Sequence, residues 1–231
     1  MLRKLILALS FSSLAAFSGS VLAVAFDITD IEGRKVHFED QPKTFIVANY
    51  IANFMMVGGA ASLEKVVALT KDGWEDTRYG EYQVFTKSFP KMKDLPSIGG
   101  YHDDILNAEK ILSLHPDVLL IGRTQYAENS QRIKTFEKAG IKVVVLDYHA
   151  MTTVNHTLST EILGKLLGRE RIAEAQNKSY KEALDHVYST IVKLPDDQVG
   201  TKVYMETASK GLARYGNSYN KLSLIHISEP T

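Results

Sequence analysis

Residues Pro116–Asp147 read PDVLLIGRTQYAENSQRIKTFEKAGIKVVVLD. Two runs of branched apolar residues, Val118–Ile121 and Val143–Leu146, flank a stretch in which Ile133 and Phe136 recur at helical spacing before Gly140. A strand wet on one face alternates apolar with polar residues, whereas a strand buried on both faces is apolar throughout. Strand, helix, strand with continuous apolar strands is the signature of a parallel sheet covered on both sides. The fold class that follows is α/β.

The same grammar extends outward. TFIVAN (44–49) and KVVALT (65–70) supply two more buried-type strands, with IANFMMVGGAA between them as a short helix ending at Gly58-Gly59. Before these, DITDIEGRKVHFED (27–40) reads as a hairpin turning at Glu32-Gly33, with Ile28, Val36 and Phe38 alternating with polar residues. Lys71–Ser97, with Trp74, Arg78, Tyr79, Tyr82, Phe85 and Phe89, reads as polar, aromatic and irregular. ILNAEKILSLH places Ile105, Leu106, Ala108, Ile111, Leu112 and Leu114 on one helical face. Downstream, Thr153–Leu167 is expected to be a helix ending at Gly168. Arg169–Leu194 then carries no glycine or proline and an apolar stripe through Ile172, Ala175, Tyr180, Ala183, Val187 and Ile191. A continuous helix there would be ~39 Å long, the length of a connector between two bodies. TKVYMET (201–207) opens a new strand.

With 27 basic and 27 acidic residues the chain has no net charge, which removes the electrostatic footprint of a nucleic-acid or membrane-surface binder. It has no cysteine, which excludes disulfides, thiolate metal sites and a lipid-bearing cysteine. MLRKLILALSFSSLAAFSGSVLAVA has two early cations, an apolar core and small residues at Ala23 and Ala25, the pattern of a secretory leader cut after either alanine. The expected mature product is a soluble exported protein without a membrane anchor.

The order and content of five segments, DITDIEGRKVHFEDQPKTFIVAN, LPSIGGYHDDILNAEKILSLHPDVLLI, FEKAGIKVVVLD, EILGKLLGRERIAEAQNKSYKEAL and KVYME, resemble the periplasmic substrate-binding proteins of ABC importers for siderophores, haem, cobalamin and related metal chelates. The resemblance runs through nearly all of Asp27–Met205. It implies two α/β lobes joined by one long helix, with the ligand held between them. On that template residues 1–23 are the leader and 26–152 the N-terminal lobe. Residues 153–195 are helical and include the joining helix 169–194, and 200–220 begin a second lobe of which only the first strand is present. The last residues, KLSLIHISEPT (221–231), resemble the in-frame translation of a transposase sequencing adapter and are expected to be a non-native tail.

In an open α/β sheet, ligands bind beyond the carboxyl ends of the strands. The candidates are therefore Tyr50 after the first sheet strand, Arg123, Gln125 and Tyr126 after the third, and Tyr148 and His149 after the fourth. Tyr101 and His102 are added from the loop where the resembled family contacts its ligand, and Arg214 and Tyr215 from the second lobe. Tyrosine offers flat apolar area with a polar tip, and arginine a fork of donors for carboxylate or catecholate oxygens, so the set suits an anionic, ring-bearing chelate. His102, His149 and His156 are weaker candidates for direct metal ligation, since no HxH or HExxH spacing joins them. The resemblance gives Glu109, in NAEKIL, the role of docking on the permease; the other reading is an exposed helix acid. No intrinsic cofactor is expected, the metal arriving within the transported chelate, favoured as a ferric siderophore, and the protein is expected to be a periplasmic monomer. Nickel or cobalt chelates and haem are the alternatives. An exported enzyme is the reading from a different class. Against it, GxSxG, Walker and GxGxxG motifs are absent, and the carboxylate pairs Asp103-Asp104 and Asp196-Asp197 are adjacent, so their side chains diverge.

Overall fold

A computed structural model describes residues 25–150 and 152–195. The leader, TKVYMET, Arg214, Tyr215 and the tail lie outside the described residues. The chain opens with a hairpin, β1 (Phe26–Thr29) and β2 (Lys35–Phe38), antiparallel in the register Ile28↔Val36. There follow β3 (Phe45–Val47), α1 (Ile51–Gly58), a 3-10 turn at Ala60–Lys65 and β4 (Val66–Leu69). Then come α2 (Asp72–Asp76), α3 (Tyr79–Ser88), α4 (Lys91–Asp94), α5 (Ala108–Leu114) and β5 (Val118–Gly122). The rest is α6 (Arg123–Glu128), α7 (Ser130–Lys138), β6 (Lys142–Leu146), α8 (Thr153–Leu167) and α9 (Glu170–Ile191).

The sheet has the order β4-β3-β5-β6, with every pairing parallel. Side chains alternate across it, so one strand feeds two cores. Phe45, Val47, Leu120, Val144 and Leu146 pack with Phe54 of α1 and Leu163 of α8. Ile46, Leu119, Ile121, Val143 and Val145 pack on the opposite face with Ile111, Ile133 and Phe136. This is the two-sided burial that the continuous apolar runs demand. Where β3 and β5 begin, Asp117 Oδ2 accepts from the Lys43 and Thr44 amides (2.7 and 2.9 Å) and Thr44 Oγ1 accepts from the Asp117 amide (2.9 Å). That exchange locks the register of the two central strands.

The hairpin docks on the edge strand β6. Asp30, 2% exposed, accepts from the amides of Glu32, Arg34 and Val145 and from Arg34 Nε, all within 3.2 Å. Ile31 N donates to Val145 O, and Arg34 reaches on to Glu137 and to Val143 O.

The expectation of irregular chain over 71–97 is corrected: the segment forms α2, α3 and α4. Trp74 of α2 meets Tyr82 and Phe85 of α3 edge-on, with ring centroids 5.1–5.6 Å from Trp74, and the three join the same core as Phe45, Phe54 and Leu163. The helix expected from Ile105 begins only at Ala108. Asn107 stays extended and caps it through Lys110 N at 3.0 Å, and Ile105 is left exposed. Helix α8 has the expected bounds. Its pair with α9 is close, because a Cβ on Gly164 would lie 2.6 Å from Ala173 Cβ. Helix α9 spans 22 residues, roughly 33 Å, and buries only Ala173 and Asn177. Beyond Tyr180 its apolar stripe of Leu184, Val187 and Tyr188 is exposed.

Candidate functional site

Because the four strands run in one direction, Tyr50, Lys71, Arg123 and Tyr148 all emerge at the same edge of the sheet. Beside β4 the chain folds back, with Leu69 bridging Ser97 and Gly99 bridging Leu106, so Tyr101–Asp104 form a tip at that edge. Thr70 Oγ1 donates to Gly99 O (2.7 Å) and holds the tip in place.

Aromatic rings meet in succession here. His149 stands edge-on to Tyr50 (5.1 Å), Tyr50 to Tyr148 (5.2 Å), and Tyr148 lies 5.8 Å from His156, which stacks on Tyr180. Tyr50 takes a left-handed φ of 64° at the start of α1, an uncommon conformation outside glycine that projects the ring along the rim. Tyr148 Oη pairs with Thr160 Oγ1 at 3.0 Å. Burial pushes both phenols up to about 12, so they stand as neutral hydroxyls at neutral pH. Tyr101 is partly buried, its ring seated against the backbone of Gly73, where an added Cβ would meet Cδ1 at 1.8 Å.

Arg123 opens α6 directly at the end of β5. Its Nε donates to Glu32 Oε1 at 2.6 Å and its Nη1 lies 3.7 Å from Asp147 Oδ2. The Glu32 carboxylate holds the guanidinium pKa above its ordinary value. Asp147 is the hub of the β6 end: it accepts from the His149 and Ala150 amides and from Asn155 Nδ2, all at 2.9–3.0 Å. Asp104, with φ 59°, accepts from Thr124 Oγ1 at 3.0 Å, and burial raises its carboxyl above the usual carboxylate range.

Of the sequence candidates, Tyr50, Tyr101, Arg123, Tyr148 and His149 share this rim. His102 is exposed on the tip, 3.7 Å from Asp76. Tyr126 belongs to the opposite face of the sheet, under the Arg34 guanidinium at 5.0 Å. Gln125 is 1% exposed and structural, joining Ala48 O, Gly100 O and the Gly122 amide. His156 faces a groove of about 510 Å3 between α1, α8 and α9, where its Nε2 and Gln176 Oε1 are buried without a partner among the described residues. Among the described residues no group of three or more His, Asp or Glu is placed to hold a metal ion. Glu109 is exposed in the first turn of α5. Glu32 and Asp147 were not anticipated. Glu32 acts on Arg123, far off in sequence, and only its turn position hinted at exposure; Asp147 bonds locally to His149, Ala150 and Asn155 and also faces Arg123.

A second cavity, about 560 Å3, runs along α8 and α9 away from the rim and is lined by charged side chains such as Lys165, Glu174 and Lys181. No helix among the described residues is long and apolar enough to cross a membrane.

The architecture is that of solved binding proteins. The TroA-like periplasmic binding protein FepB from Veillonella parvula superposes with a TM-score of 0.67 at 24% identity, over 74% of this chain and 50% of that one. The molybdate periplasmic binding protein MolA of Haemophilus influenzae gives 0.60 at 16%, over 77% and 59%. In sequence, the uncharacterized ABC transporter substrate-binding lipoprotein YvrC of Bacillus subtilis (strain 168) is 26% identical over 172 residues, 74% of this chain and 49% of that protein. The chain thus spans about half the length of the curated relative it matches. At these identities the solved structures speak for the fold alone. The periplasmic binding protein family itself matches residues 46–224, most of the chain, and the chain belongs to that family.

Proposed function

We propose that this chain supplies one wall of a solute-binding site that captures a metal chelate, with a ferric siderophore favoured, and hands it to an ABC permease in the periplasm. The supporting observation is the rim. The rings of Tyr50, Tyr148 and His149 and the guanidinium of Arg123 gather at the carboxyl edge of the parallel sheet, where such folds take their ligands. Aromatic faces complement the flat organic shell of a chelate, and hydroxyl and guanidinium groups complement its oxygens.

Burial keeps the Tyr50 and Tyr148 phenols neutral in the ligand-free chain, which suits hydrogen bonding to the oxygens of an intact chelate. His149, exposed against Tyr50, is the observation that keeps a nickel or cobalt chelate as the second reading. Glu109, exposed at the start of α5, is the proposed contact for the permease.

Calorimetric titration with ferric chelates, a nickel chelate, haem and the bare metal salts tests the reading. Heat with a ferric chelate and none with bare salts is expected. Heat with ferric or nickel salt alone, and none with any chelate, would overturn it.

A further inference from the structure

Resting on the chelate reading above, we infer that Glu32, in the hairpin turn, is a specificity-determining residue that turns this rim toward uncharged chelates and away from polyanionic ones. Arg123 is the cation an anionic ligand would seek at the strand ends, and it is already engaged. Its Nε is occupied by Glu32 at 2.6 Å, and Asp147 Oδ2 lies 3.7 Å from Nη1. One guanidinium facing two carboxylates leaves the trio net negative.

The other cation directly after a strand is turned inward. Lys71 Nζ donates to Lys93 O at 2.7 Å and lies 3.3 Å from Glu75. Asp104, held by Thr124 on the same rim, adds a further acid. What Arg123 keeps is donor capacity without net attraction: its side chain is 53% exposed, and its Nη2 has no hydrogen-bond partner among the described residues. Donors without net charge favour hydroxamate-type or carbonyl oxygens whose negative charge the metal has balanced.

Glu32 is well placed for this role because it is positioned from below. Asp30 fixes the turn through the Glu32 amide at 3.0 Å, and the turn is tied to β6 through Ile31 and Val145. The backbone that carries the carboxylate is therefore fixed beside Arg123 by the scaffold. At roughly 6 Å in a medium of effective dielectric about 40, one such charge shifts the affinity of a singly charged group by about tenfold.

The test titrates the chain and its Glu32→Gln variant with an uncharged ferric trishydroxamate and a trianionic ferric triscatecholate. The wild type is expected to favour the trishydroxamate. Glu32→Gln is expected to raise the catecholate-to-hydroxamate affinity ratio by about tenfold or more. That gain should shrink in high salt and be absent from the Glu32→Gln/Arg123→Gln double variant, which serves as the check should the single variant fold poorly. Binding of both chelates with a ratio unmoved by Glu32→Gln, or a wild type that prefers the triscatecholate, overturns the inference and leaves the chelate reading standing. Binding of neither chelate overturns both.

Discussion

Tyr148 Oη lies 3.0 Å from Thr160 Oγ1, so the first ring beyond β6 is held by the middle of α8 and presented edge-on to Tyr50. Tyr148→Phe keeps the ring and loses the bond, and is expected to cost about 1 kcal/mol of stability. Tyr148→Ala removes the ring and is expected to cost about 3 kcal/mol and to lower ferric-chelate affinity about tenfold beyond the Phe variant. Urea denaturation and calorimetry measure the two effects. Equal affinities for the Phe and Ala variants would show that the ring does not contact ligand.

The same burial sets an alkaline limit. Tyr50 and Tyr148 ionise at about 12 in the fold against 10.0 for a free phenol. A raised pKa means that the folded state binds the proton more tightly, so the stability gained is complete below pH 10 and is lost as pH rises toward about 12. Phenolate absorbance should show late-titrating tyrosines, Tyr50 and Tyr148 among them, whose ionisation coincides with the loss of near-ultraviolet circular dichroism. Titration of every tyrosine near the ordinary value with the fold intact would contradict this.

Asp30 is the residue that couples the hairpin to the sheet. It is buried and receives three backbone amides and the Arg34 guanidinium. Asp30→Ala leaves those amides without their acceptor while Arg34 keeps Glu137, with an expected loss of about 2–4 kcal/mol in urea denaturation. A loss under about 1 kcal/mol would mean that the hairpin is held mainly by its apolar contacts.

Gly73→Ala tests the seating of Tyr101. The new methyl would fall 1.8 Å from the ring, so the ring must move, at an expected cost of about 1–3 kcal/mol. If Tyr101 contacts ligand, chelate affinity falls with it; unchanged affinity in a folded variant would remove Tyr101 from the site.

What the sequence conveyed depended on how local the determinant was. The four sheet strands are apolar throughout because both faces are buried, and α8 ends at Gly168 in a left-handed turn with φ 63°, so both were legible from neighbouring residues. The helices of 71–97 were not, because they are short: Trp74 on α2 and Tyr82 and Phe85 on α3 reach one core only after the chain turns between them, so no single helical stripe runs through the segment. Tyr50, Arg123, Tyr148 and His149, read from their positions after the strands, stand at one edge of the sheet. Tyr126 departs because α6 starts at Arg123 without a loop and carries its fourth residue onto the other face. Glu32 was illegible for a different reason: its partner Arg123 is brought near only by the tertiary fold, as are the partners Val145 and Arg123 that Asp30 and Asp147 add to bonds within their own turns.

Hydrogen exchange of the chain with and without ferric trishydroxamate tests the central claim most directly, since it reports where ligand contacts the fold. Protection gathered at Asn49–Tyr50, Tyr101–His102, Arg123 and Asp147–His149 is the predicted result. Protection confined to the α8–α9 cavity around Lys165 and Glu174, with the strand-end rim unchanged, would contradict it.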